Sequence, residues 1–275
     1  MLARATLESL LRDRKLDRTL AVFPALRPAG PVADLVVRTG HGRADQVLEG
    51  GWPRGHLSEV SGPPSAGRTT LLAGSLAAAT GGGELAALVD AADRFDPVPA
   101  VARGVVLERL LWVRGSVGDR SPWIPSAGDR VQRGGAGTGD RALTQAIRAF
   151  DLILRAGGFA LVVLDLGGVP ARVIARLPFT TWLRLGRSVE DSRTAALLIA
   201  DAPTARSGGG VSLELQASPA RWRGQSDLSR LFDGPSLAPR ARGFKRIGES
   251  RGAERGEWGP ASAEARRGAG APAGE

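Results

Sequence analysis

The decapeptide SGPPSAGRTT, residues 61–70, carries residue types at spacings that can hold phosphate. It follows the pattern G-x-x-x-x-G-K-[ST] through Gly62, Gly67 and Thr69, with Arg68 in the lysine's place. A loop of this kind works mainly through its backbone. Successive N–H groups converge on phosphate oxygens, and the start of the following helix adds partial positive charge. Gly62 and Gly67 free the chain to take the dihedrals this needs. Ser65 and Thr70 complete the expected phosphate cradle with Arg68 and Thr69. The Thr69 hydroxyl is the group expected to hold Mg²⁺, and Asp165, which closes the run ALVVLD, is the carboxylate expected beside it. The bland alternative is a Gly/Pro-rich turn without a ligand, but the flanking strand and helix favour a nucleotide loop.

Arginine at position 68 changes the fit. Lysine is a compact point charge that reaches the outer phosphates, whereas arginine is longer, planar and forked. All but Lys15 and Lys245 of the 37 basic residues are arginine, so a chain-wide bias also explains the swap. ATP or ADP with Mg²⁺ is therefore expected to bind weakly.

Alternating apolar and turn-rich segments must position these groups. HLSEVSG (56–62) reads as a strand entering the loop, and TLLAGSLAAA (70–79) as the helix leaving it. Further strands are expected in ELAALVDAA (84–92), LERLLWVRG (107–115), FALVVLDLGG (159–168), RTAALLIAD (193–201) and VSLELQAS (211–218). The pair Asp96-Pro97 is expected to start a helix, and ALTQAIRAFDLILRAG (142–157) and FTTWLRLGRSVEDS (179–192) read as helices. Uniformly apolar strands separated by helices predict an α/β fold with a largely parallel central sheet flanked by helices. The last two strands, close in sequence, are expected to form an antiparallel edge.

Three domains of organisation follow: an amphipathic helix and proline-rich linker over 1–31, a core over 32–232, and a tail over 233–275. The core is expected to carry a disordered insertion over 116–140. The tail, rich in Gly, Ala, Pro, Arg and Glu, is expected to be disordered.

The 275 residues contain no cysteine, which excludes disulfides, a thiol nucleophile and Cys-ligated metal. There is no apolar run of membrane-spanning length and no secretory signal at the N-terminus, so a cytoplasmic protein without membrane contact is expected. The net charge of +9 is spread along the chain and suits either a polyanionic partner or a solvated surface.

Several of these segments resemble the RecA recombinase family. EGGWPRGHLSEVSGPPSAGRTTLL (49–72) looks like that family's phosphate loop with its entry strand, AALVDAADRFDP (86–97) like its next strand, and ALVVLDL (160–166) like its metal-binding strand. AALLIAD (195–201) and SGGGVSLELQAS (207–218) resemble the strands around its second DNA loop. The resemblance implies a RecA-like fold over roughly 35–225. It also marks departures. The family's water-activating glutamate falls at Ala92, with Asp90 and Asp93 out of register. Its phosphate-sensing glutamine falls near Asp201, and both DNA loops look trimmed.

The GGWPRG stretch at 50–55 ahead of a degraded loop is similar to the ImuA-type branch, short RecA relatives of bacterial mutagenesis cassettes. That resemblance implies a part in SOS-linked DNA repair and translesion synthesis. The partners it implies are an ImuB-like relative of the Y-family polymerases, a replicative-type error-prone DNA polymerase and RecA itself, with single-stranded DNA and self-association as further contacts. Trp182, Arg184, Arg187 and Arg206 are the candidate DNA or partner contacts, the core and a solvated basic stripe being the ordinary alternatives. Slow or absent ATP hydrolysis is expected. Two other functions stay open: a DNA-dependent ATPase, and a non-DNA regulator such as a cell-division inhibitor.

Overall fold

The structure, a computed structural model, describes residues 35–115, 138–205, 210–217, 219–224, 231–235 and 237–242. The expected helix and linker over 1–31, most of the expected insertion, and the tail beyond 242 lie outside the described residues.

Seven strands form the main sheet, in the order β11-β8-β3-β7-β6-β4-β5. These are β3 (Leu57–Ser61), β4 (Ala86–Asp90), β5 (Leu110–Arg114), β6 (Leu161–Asp165), β7 (Ala195–Ala200), β8 (Ser212–Gln216) and β11 (Ala238–Arg242). Every pairing from β8 to β5 is parallel. β1 (Val36–Val37) and β2 (Trp52–Pro53) form a small antiparallel pair, as do β9 (Ala220–Arg223) and β10 (Leu231–Pro235).

Among the described residues six helices accompany the strands: α1 (Gly42–Val47), α2 (Arg68–Gly81), α3 (Pro97–Ala102), α4 (Thr138–Ala156), α5 (Ala171–Ile174) and α6 (Phe179–Val189). β4, β6 and β7 read as nearly continuous apolar runs because both faces are covered. Ala86, Leu88, Leu161 and Val163 face a core built with Leu71, Leu72 and Leu76 of α2 and with Trp52. Their neighbours Ala87, Val89, Val162 and Leu164 face a second core, with Phe150 and Ile153 of α4 and with Trp182 and Leu185 of α6. In α4 the buried positions 143, 146, 147, 150, 153 and 154 follow helical spacing, which lays one stripe on the sheet.

Local signals explain the boundaries. Asp96 caps α3 by accepting from the Val98 N–H at 3.0 Å, with Pro97 at the first helical position. Gly157, at φ 67°, ends α4. Trp52 is fully buried and donates its indole N–H to the Ser75 hydroxyl at 2.9 Å, which ties the GGWPRG stretch to the middle of α2.

Three expectations change. The strands over 193–201 and 211–218 do not pair with each other. β3 lies between them, and both run parallel to it. The antiparallel edge is made instead by β11, which pairs with β8 from Ala238↔Gln216 to Arg242↔Ser212. The ordered core thus extends past residue 232, into a stretch whose Pro and Arg content reads as tail. Residues 138–140, placed in the insertion, are the first turn of α4.

Candidate phosphate-binding site

The residues singled out around the loop meet at the carboxyl ends of β3, β6 and β7, where open parallel sheets bind ligands. A cavity of about 440 Å³ is lined there by Ser65, Gly67, Arg68, Thr69, Thr70 and Asp165, joined by Arg94 and Phe95 from the β4–α3 turn. Gly67 caps α2 in the left-handed region at φ 96°, and Ser65 also takes a positive φ of 66°. Such backbone is costly without a role and common where a turn presents its amides. Gly62 does not line this cavity. A Cβ there would meet the Leu215 carbonyl at 2.6 Å, so its part is to let β8 pack closely on the loop.

The Arg68 side chain is the first surprise. It forms an ion pair with Asp201 at the end of β7, and only 11% of it is exposed. Asp201 also accepts the Gly168 N–H at 3.1 Å. The guanidinium expected to reach for phosphate is held by an internal carboxylate.

Asp165 lies where a metal-binding carboxylate was expected. Its Oδ1 accepts the Gly167 N–H at 2.7 Å. Burial raises its pKa to about 6, the Asp90 charge adds to this, and the Gly167 amide and the charges of Arg68 and Arg94 oppose it. A part-buried carboxyl under that penalty suits a cation. No group of three acidic or histidine side chains able to hold a metal occurs among the described residues. A nucleotide-borne Mg²⁺ takes only one or two protein ligands, so Thr69 and Asp165 fit that use.

The β4–α3 turn offers no free base. Asp90 is buried and accepts the N–H groups of Arg94 at 3.0 Å and Phe95 at 2.8 Å. Asp93, at φ 53°, is gripped by both nitrogens of an Arg114 fork at 2.7 and 2.8 Å. Ala92 packs against the core between them. Both carboxylates out of register are therefore committed to holding the turn.

The remaining candidates lie elsewhere. Trp182 is 4% exposed, which makes it a core side chain and removes it as a base-stacking platform. It forms part of the floor of a second cavity of about 460 Å³, between α5, α6 and the chain after β7. Arg184 and Arg187 are exposed on α6 and line neither cavity. Arg206 lies outside the described residues. Arg94, which no motif in the sequence singles out, enters the cavity from a turn 26 residues past Arg68. Its only sequence signal was its place directly after DAAD.

The parallel sheet, the glycine-capped turn after β3 and the carboxylate ending β6 are consistent with a RecA-like α/β fold. Comparison with known proteins agrees: residues 34–126 match the RecA N-terminal domain. The chain is 41% identical to Protein RecA of Prochlorococcus marinus (strain MIT 9301) over 117 residues, covering 39% of this chain and 32% of that protein. It is 30% identical to Protein RecA of Streptococcus pneumoniae (strain Hungary19A-6) over 150 residues, covering 54% and 36%. The chain spans about a third of the length of the curated relatives it matches. These similarities support a RecA-like protein.

Proposed function

We propose that this chain is a RecA-like accessory protein of the DNA-damage response, acting as an adaptor in error-prone translesion synthesis rather than as a strand-exchange motor. One observation carries the reading. The cavity keeps the groups that hold phosphate, while Asp90 and Asp93 are committed to the turn and Ala92 stands where a carboxylate would activate water. ATP or ADP binds there weakly, with Mg²⁺ at Thr69 and Asp165 neutralising phosphate charge. The partners this reading names are an ImuB-like polymerase relative, a replicative-type error-prone polymerase, RecA and single-stranded DNA, with self-association as a further contact. The expected place of action is the cytoplasm, at the nucleoid. No membrane contact is part of this reading; among the described residues no helix is long and apolar enough to cross a membrane.

Capture of partners by the tagged chain from DNA-damaged cells tests this reading, alongside phosphate release with and without single-stranded DNA. Recovery of a repair or replication protein, together with negligible turnover, is the expected result. Return of no such protein would sink the adaptor role. Robust DNA-stimulated turnover would favour the motor reading, to which Asp165 and Thr69 in one cavity lend some support.

A further inference from the structure

The cavity contains two guanidinium groups in different electrostatic states. Arg68 is largely buried and neutralised by Asp201. Arg94 is exposed, and its guanidinium has no hydrogen bond or ion pair among the described residues. A side chain left loose on the surface would need no further account, but the turn beneath Arg94 is built. The buried Asp90 carboxylate holds the backbone on both sides through the Arg94 and Phe95 amides. Phe95 is wedged edge-on against Trp112, with ring centroids 5.2 Å apart. After β6, Gly168, at φ 80°, leaves open the space the guanidinium fills, since a Cβ there would run into Arg94 Nη1. Arg94 is close enough to Asp165 for its charge to favour that carboxylate's ionised form.

Resting on the reading of this cavity as a nucleotide site, we propose that Arg94, not Arg68, is the principal cation that grips the ligand's phosphates. An arginine fork from the β4–α3 turn suits a phosphate oxygen pair, which it can bind bidentately. The charge that the phosphate loop lost to Asp201 is resupplied from the turn after β4, across the same cavity. The ligand class is a nucleoside di- or triphosphate. Asp201 acts as an internal anion that competes with phosphate for Arg68, so removing its charge strengthens binding.

Calorimetry on the full chain with Mg²⁺ and ATP, ADP or inorganic triphosphate tests this assignment. Arg94→Ala is expected to weaken binding by about tenfold or more, the worth of a charge-assisted hydrogen-bond pair. Arg94→Lys should recover part of that loss, and Arg68→Ala should cost less than Arg94→Ala. Asp201→Asn should tighten binding by a few fold. Thermal melts accompany each variant, and Arg94→Ala, being at an exposed side chain, should melt as the unmodified chain does. Loss of binding with Arg68→Ala while Arg94→Ala stays within twofold would overturn the assignment and leave the nucleotide reading intact. If the unmodified chain binds none of the three probes, the nucleotide reading falls and the assignment with it.

Discussion

Two turns at the carboxyl edge of the sheet, separated by β7 and β6, line one cavity and differ in what they hold. The turn after β3, residues 62–67, has left-handed backbone at Ser65 and Gly67, a geometry by which a turn can present amides to a ligand. The turn after β4, residues 91–96, retains its shape but has alanine where the resemblance puts an activating glutamate. Its two aspartates are spent on its own backbone and on Arg114. Holding a phosphate is a property of many amides at once and survives single substitutions. Activating water depends on one side chain.

The largest effect should come from repairing both turns. Arg68→Lys alone leaves hydrolysis slow or absent. Ala92→Glu supplies a base, a contribution of about 10²–10⁴-fold in rate where the geometry is met. The double variant should gain more than the two single gains multiplied, measured as phosphate release with and without single-stranded DNA. If both turns were equally defunct, the double variant would stay silent.

Next comes the anchor of the second turn. Asp90→Ala leaves the Arg94 and Phe95 amides without their acceptor, at a cost of roughly 1–3 kcal/mol, most of it from the buried Phe95 donor. Denaturant unfolding reads that loss, and nucleotide affinity should fall with it because Arg94 is no longer aimed. A change below about 0.5 kcal/mol, the scale of an ordinary surface substitution, would show the turn to be self-supporting.

The first turn should break through its backbone. Gly67→Ala puts a Cβ into the left-handed region and against the Leu237 side chain. A loss of ~1–3 kcal/mol is expected from the strain alone. Differential scanning calorimetry checks it, and an unchanged melting temperature would mean the loop relaxes freely.

The smallest effect lies away from both turns, at the buried Glu59 in β3. Burial raises its pKa above 4.5, against the amides of Ala205 and Thr204 and the hydroxyl of Ser212. The folded state thus binds this proton more tightly than the unfolded one. The resulting stability is fully present below about 4.5 and fades as pH rises through the raised value. Relative to Glu59→Gln, the unmodified chain should lose melting temperature over that window. Parallel curves for the two proteins would count against it.

The same contrast explains what the sequence made legible. β4, β6 and β7 stood out because strands covered on both faces are apolar along most of their length, β3 by its place before the glycine-rich turn, and Gly67 marked that turn because few residues tolerate its φ. β11 is hidden in the sequence because Pro239, Arg240 and Arg242 interrupt any apolar pattern, and an edge strand tolerates such residues. The Arg68–Asp201 pair joins residues 133 apart, beyond any local pattern. Arg94 was hidden by company: in a chain whose cations are nearly all arginine, one more carries no signal until its surroundings are seen.

Leu237, immediately before β11, fills the space that a side chain on Gly67 would need. The last strand of the sheet therefore bears on its first loop. During synthesis the loop cannot reach its final packing until residues near 240 have emerged, long after its own amides are made. In the finished protein, amide exchange at the loop and along β11 should slow together, as one cooperative unit spanning the sequence from end to end of the fold.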